Sequence, residues 1–150
     1  MSSTTDWLSA TGGIVGAIGG PAGMWAAWNQ HRMNRRRRFG PPEELVGLLG
    51  KILDVAHDVT LSYRDEAWLE ASGLRPASER VDELSHLVTD GVLRHGLRLV
   101  TGNAGLVLGA TTDEDQSPER SVTTVTNQAR YAAELDKWAK DTLGDLRRQL

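Results

Sequence analysis

Residues 7–38 read WLSATGGIVGAIGGPAGMWAAWNQHRMNRRRR, and this segment decides how the rest of the chain is interpreted. The 22 positions from Trp7 to Trp28 contain no charged residue. A helix of that length rises by roughly 33 Å, which is close to the thickness of about 30 Å of a bilayer's hydrocarbon core. The segment therefore predicts a single transmembrane helix at the N-terminal side of the chain.

Aromatic and basic residues flank the uncharged stretch in the order expected for a membrane protein. Indole rings favour the headgroup region, and basic residues accumulate on the cytoplasmic side. This order predicts a single-pass protein of the cell membrane with its N-terminus outside and its C-terminal domain in the cytoplasm. The predicted membrane-interface residues are Trp7, Trp25, Trp28, Arg32, Arg35, Arg36, Arg37 and Arg38.

The glycines of the segment suggest contact between helices. Gly12, Gly16 and Gly20 recur every four residues and so share one helix face. A face without side chains lets a second helix approach closely, which predicts self-association and a homo-oligomer. The bulky apolar residues are few, so insertion of a single copy would be marginal.

Two other arrangements of this segment remain open. In water each glycine costs a helix about 1 kcal/mol relative to alanine and Pro21 about 3 kcal/mol, so the segment can instead be a disordered or interfacial arm. A re-entrant hairpin broken at Gly20-Pro21 is the other arrangement. A cleaved signal peptide is not expected, because the basic residues follow the apolar stretch rather than precede it.

The charge distribution separates two predicted domains. Residues 1–38 hold five arginines against one aspartate, for a net charge of +4. Residues 39–150 hold twelve Lys and Arg against nineteen Asp and Glu, for a net charge of -7. Such an acidic domain is a poor nucleic-acid binder, because duplex affinity depends on neutralising phosphates. We therefore expect the arginines to face anionic lipid headgroups, and we expect no nucleic-acid partner.

Residues 39–150 show the pattern of an antiparallel three-helix bundle, which makes the predicted fold all-α. Pro42 begins the first helix, which is expected to extend to a cap at Gly73. A third helix runs from Pro118 to the C-terminus. The second helix starts near Ser78, and its predicted apolar side is Val81, Leu84, Leu87, Val88, Val92, His95 and Leu99. The apolar stripe of the first helix is Leu45, Leu49, Ile52, Ala56, Val59 and Tyr63.

Chemistry-bearing motifs are mostly missing. The sequence has no cysteine, no phosphate-binding Gly-x-x-x-x-Gly-Lys motif and no Gly-x-Ser-x-Gly elbow. Asp54-x-x-His57 and Glu83-x-x-His86 resemble the Glu-x-x-His pattern of di-metal bundles, but they border the apolar stripes rather than occupy them. We favour solvated helix surface there and predict no metal, no cofactor and no catalytic residues.

Three aromatic or titratable side chains are assigned to packing rather than to chemistry. His95 falls on the apolar side of the predicted second helix, which places it in the core or at its boundary. Trp68 and Trp138 are expected in the core, although exposed tryptophans are also typical of protein interfaces.

The leading interpretation is a small membrane protein whose cytoplasmic bundle binds a protein partner. The alternative is a membrane-active effector, in which glycine-faced helices assemble and perturb the bilayer. A metal-dependent helical enzyme is a third and less favoured class, because only Asp54, His57, Glu83 and His86 support it.

Overall fold

The computed structural model describes residues 20–112 and 117–150, and these two ranges are helical with no β-strand. Contacts divide the chain into two compact units, Met1–Arg35 and Arg36–Leu150. The prediction of an all-α protein with a helical bundle is confirmed. The helices are α1 (Gly20–Phe39), α2 (Pro42–Leu61), α3 (Glu66–Ser72), α4 (Leu74–Ser85), α5 (Gly91–Gly109) and α6 (Pro118–Gln149).

Four helices of the second unit pack in a ring. Helix α2 packs against α4 and α6, and α5 packs against the same two helices. An ion pair of 2.7 Å joins Arg80, late in α4, to Glu44 at the start of α2. The hydroxyl of Tyr63, just after α2, lies 2.8 Å from Oγ1 of Thr112, just after α5. The second contact shows that α2 and α5 finish at the same end of the bundle. The ion pair shows that α4, which lies between them in sequence, runs in the opposite direction, as in an up-down-up-down bundle.

The predicted three-helix arrangement is corrected to this four-helix ring, because two of the predicted helices are interrupted. The first is broken after Leu61, where the carboxylate of Asp65 accepts a hydrogen bond of 2.8 Å from the Trp68 amide and starts α3. The second is broken before Gly91, where the carboxylate of Asp90 accepts a bond of 3.0 Å from the Leu93 amide and starts α5. Such N-caps satisfy amides that have no partner within the helix.

The core confirms the predicted stripe of α2 from Leu45 to Val59, whereas Tyr63 lies after the helix and is only partly buried. The stripe predicted for the second helix is partly wrong. Leu87, which follows the end of α4, and Val92, at the start of α5, were expected inside, but both are exposed. The break before Gly91 restarts the helical phase, so a different set of residues turns inward. The buried residues of the two helices are Leu45, Leu49, Ile52, Val55, Ala56 and Val59 in α2 and Leu93, Leu97, Val100, Ala104 and Val107 in α5.

Helix α6 is much longer than its neighbours. It has 32 residues, whereas α2 has 20 and α5 has 19. At 1.5 Å per residue the difference is on the order of 18 Å. Its first buried residue is Gln128, so the turns before Gln128 add length without adding to the core.

Gln128 joins three elements at one end of the bundle. Its amide oxygen accepts a hydrogen bond of 2.9 Å from the backbone amide of Arg64. Its amide nitrogen donates to the carbonyls of Arg64 and Ala110, both at 2.8 Å. We call this end, formed by Tyr63, Arg64, Ala110 and Gln128, the far end of the bundle.

Candidate functional site

Helix α1 displays aromatic and thioether side chains to solvent. Trp25 is 66% exposed and Trp28 is 60% exposed. Residues three apart lie on the same side of a helix, so the two indoles are neighbours. Met24 and Met33 are exposed as well. Large apolar side chains exposed together in this way are typical of surfaces that contact a membrane or another protein.

The same helix is strongly basic. Gly20–Phe39 contains five arginines and no acidic residue. The guanidinium of Arg32 lies over the ring of Trp28, 5.6 Å from its centroid, in a cation–π arrangement. The side chains of Arg35, Arg37 and Arg38 are also exposed. The helix therefore combines indoles with a concentrated positive charge, the two features that sequence analysis assigned to a membrane interface.

The last turn of α1 is fastened to the junction between α4 and α5. The carbonyl of Arg38 accepts hydrogen bonds from the amides of Thr89 (3.0 Å) and Asp90 (3.1 Å). The hydroxyl of Thr89 donates to the Arg37 carbonyl at 3.2 Å. The final carbonyls of a helix have no partner within it, so these bonds complete the C-terminus of α1.

Phe39 and Gly40 complete this junction. Phe39 is buried in the core of the bundle. Gly40 follows with a φ of 69°, a left-handed conformation that glycine adopts without the steric cost of a side chain. A Cβ added there would lie 3.4 Å from Cγ2 of Val88. The end of α1 from Arg36 onward is thus an integral part of the bundle.

Asp90 has two functions in this junction. Its carboxylate caps α5 through the Leu93 amide and lies 3.2 Å from the guanidinium of Arg38. The Leu93 hydrogen bond, assisted by Arg38, lowers the pKa of Asp90 below its ordinary value, against the opposing effect of burial. One carboxylate therefore links the last turn of α1 to the first turn of α5.

The predicted self-association residues are only partly within the described chain. Gly20 is the first residue of α1, whereas Gly12 and Gly16 lie outside the described residues, as does Trp7. Residues 7–19 of the predicted span lie outside them too. Among the helices that the structure describes, none has both the length and the hydropathy needed to cross a bilayer.

The candidate metal ligands do not converge. Asp54 and His57 are exposed on α2, and Glu83 and His86 are exposed at the end of α4. Glu83 is paired with Arg80 at 2.8 Å. Within residues 20–112 and 117–150, no three His, Asp or Glu side chains are placed to hold a metal ion.

The packing residues give a mixed result. Trp68 and Trp138 were expected in the core; they are partly buried and pack against its outside. His95 is exposed, so its assignment to the apolar side was wrong. The error has the same cause as the error at Val92, namely the unrecognised start of α5 at Asp90.

The junction itself was missed by sequence reasoning. Its signal is the run Thr89-Asp90-Gly91, in which an aspartate precedes a new apolar pattern at the position of an N-cap. No family model, no curated protein sequence and no solved structure matches this chain.

Proposed function

We propose that this chain is a small single-pass membrane protein whose helical bundle is a cytoplasmic protein-interaction module. In this proposal the glycine-rich segment crosses the bilayer and the arginines of α1 lie at the inner headgroups. The observation that carries it is α1 itself, which exposes Trp25 and Trp28, follows them with arginines, and ends in a junction fastened to the bundle.

The chemistry of α1 fits a lipid surface. Indole rings prefer the headgroup region, and each basic residue near an anionic leaflet contributes about 1 kcal/mol of attraction. The sequence places the two indoles on the side of the uncharged span and the arginines on the side of the bundle. This is the order that a helix leaving the inner leaflet requires.

A nucleic-acid partner fits less well. The arginine run would be attracted to phosphate, but residues 39–150 carry a net charge of -7 and would be repelled. A headgroup region also accommodates the exposed indoles of α1, for which a phosphate backbone offers no comparable partner.

The far end of the bundle supports the assignment of an interaction module. A cavity of about 360 Å³ lies between α5 and α6, lined by Gly105, Leu106 and Tyr131 among others. Leu106 of α5, which lines this cavity, and Val122 of α6, two residues before the lining residue Thr124, both expose aliphatic side chains. Aromatic side chains are enriched at protein interfaces, and the glycines of α5 leave room for the side chains of a partner.

We extend the proposal to a homo-oligomer that forms through Gly12, Gly16 and Gly20. The effector alternative uses the same glycines and differs in its consequence, which is loss of the membrane potential. We propose no catalytic activity, metal or cofactor.

Membrane fractionation of the full-length chain tests the proposal. We expect the protein in the membrane fraction, resistant to high salt and alkaline carbonate and released by detergent. Ile14→Asp places a charge inside the span at a cost of about 3 kcal/mol and should shift the protein to the soluble fraction. Leu61→Asp, on the exposed surface of the bundle, is the control and should leave fractionation unchanged. Recovery of the unmodified chain without detergent would overturn the proposal.

A further inference from the structure

One end of the bundle exposes apolar side chains beside the junction with α1. We call it the anchor end and define it by Phe39, Leu87, Asp90, Val92 and Leu146. Val92 is 73% exposed and Leu87 is 60% exposed, although both are aliphatic. A cavity of about 180 Å³ opens here, and Phe39, Asp90, Val92 and Leu146 are among its lining residues. Exposed aliphatic groups are therefore adjacent to the last turn of α1.

Basic residues from both ends of the sequence meet at this end. Arg37 and Arg38 belong to the last turn of α1, and Arg147 and Arg148 belong to the last turn of α6. Leu146, which precedes this arginine pair, shares the cavity lining with Phe39, which follows Arg38. Phe39 and Leu146, 107 positions apart in sequence, thus bring arginines from both ends of the chain to one end of the bundle.

Three carboxylates near this end of the bundle are paired with arginines, whereas the exposed Glu43 forms none of the ion pairs found in the described residues. Asp90 is paired with Arg38, Asp145 with Arg148, and Glu44 with Arg80. Pairing reduces the repulsion that these carboxylates would exert on an anionic surface. Exposed aliphatic side chains among arginines are the composition that binds the headgroup region of an anionic leaflet.

We propose that the anchor end is a second membrane-contacting surface, which places Leu87 and Val92 in the headgroup region of the anionic inner leaflet. The inference rests on the proposed function, because the chain would then enter the bilayer through the segment that joins the bundle here at Arg36–Phe39. Each contact is weak by itself. Tethering by the span makes the encounter intramolecular, so weak contacts suffice to hold the bundle against the leaflet.

The absence of cysteine allows a direct test by single-site labelling. Val92→Cys and Leu61→Cys are a matched pair, because the native side chains are 73% and 71% exposed and lie at opposite ends of the bundle. Each full-length variant carries an environment-sensitive fluorophore and is reconstituted in phosphatidylcholine vesicles with or without phosphatidylglycerol. Acrylamide, a neutral quencher, reports whether the label remains in water.

We expect the label at position 92 to shift to the blue and lose acrylamide quenching in vesicles that contain phosphatidylglycerol. The label at position 61 should remain fully quenched. Combining Arg147→Glu and Arg148→Glu should restore quenching at position 92 while the protein still floats with the vesicles. The arginines are exposed, so the pair of substitutions tests charge without disturbing the core.

Several results would overturn the inference. Flotation with full quenching at position 92 would refute the second surface while leaving the proposed function intact. Equal protection at positions 61 and 92, or equal protection without phosphatidylglycerol, would also refute it. Protection in detergent that grows with protein concentration would show a contact between protein copies instead. Failure of the unlabelled protein to float would remove the proposed function and, with it, this inference.

Discussion

Arg38 and Asp90 are joined through both backbone and side chain. The Arg38 carbonyl accepts the Asp90 amide at 3.1 Å, and its guanidinium donates to the Asp90 carboxylate at 3.2 Å. Because the same carboxylate caps α5 through Leu93, the end of the basic helix and the start of a core helix depend on one residue.

Replacing Asp90 separates its two functions. Asp90→Ala removes the cap and the ion pair and should lower the free energy of unfolding by about 1–2 kcal/mol. Asp90→Asn keeps an oxygen that can cap α5, so it should lose less than about 1 kcal/mol, the usual range for an exposed ion pair. Urea unfolding followed by circular dichroism measures both values. Equal losses for the two variants would show that the ion pair, and not the cap, dominates.

The contribution of Asp90 should also depend on pH. Its pKa is lower in the folded protein than its ordinary value of 3.8, so the charged carboxylate stabilises the fold above that pH. The stabilisation is lost as the pH falls from there through the lower pKa of the folded state. We expect the stability difference between the native chain and Asp90→Asn to shrink only in that acidic range. A difference that stays constant down to complete protonation would contradict the assignment.

Two exposed or partly exposed glycines of α5 should respond to alanine in opposite directions. A Cβ at Gly96 would lie 2.6 Å from Oγ1 and 3.3 Å from Cγ2 of the buried Thr142, so Gly96→Ala should destabilise the bundle by about 1–2 kcal/mol. A Cβ at Gly102 would meet no atom within 4 Å, so Gly102→Ala should stabilise it by about 1 kcal/mol. Thermal unfolding of the two variants compares them directly. Stabilisation by both would refute close packing of α5 on α6 at Thr142.

Gln128 should be the most sensitive polar residue of the far end. Gln128→Leu keeps similar volume but leaves the Arg64 amide and the carbonyls of Arg64 and Ala110 without this partner. We expect a loss of about 2–4 kcal/mol, because buried polar groups left unsatisfied cost about 1–3 kcal/mol each and some will reach water. Denaturant unfolding measures the loss, with Gln149→Leu at an exposed position as the control. A loss below that of the control would show that Gln128 is not a structural tie.

The start of the bundle could be predicted because its signals are local. Proline at the first helical position, followed by Glu43 and Glu44, marked the start of α2, and the spacing from Leu45 to Val59 identified its buried face. Gly73 was also identified as a helix end, and its φ of 76° explains why glycine is needed there.

The breaks in the bundle were missed because apolar spacing continues across them. Asp65 and Asp90 cap new helices, but each also fits the polar side of a longer helix, so the pattern alone does not separate the two readings. The anchor end could not be predicted at all. It exists only because the fold brings Phe39 and Leu146, distant in sequence, to one cavity.

The two functional hypotheses make different predictions for the glycine face. Gly16→Leu should weaken self-association of the full-length chain in detergent, because a bulky side chain prevents close helix approach. Chemical cross-linking measures this, with Ala17→Leu on another face as the control. The effector alternative adds that expression depolarises cells and that Gly16→Leu abolishes the effect. An unchanged membrane potential on expression would leave the interaction module as the better hypothesis, and unchanged cross-linking would contradict the glycine interface.

Two-sided cysteine labelling of the full-length chain in intact cells tests the central claim most directly. The account predicts that Ser3→Cys reacts with a membrane-impermeant maleimide from outside, whereas Leu61→Cys, exposed on the bundle, reacts only after permeabilisation. Labelling of both positions only after permeabilisation, or of both from outside, would contradict a span between them.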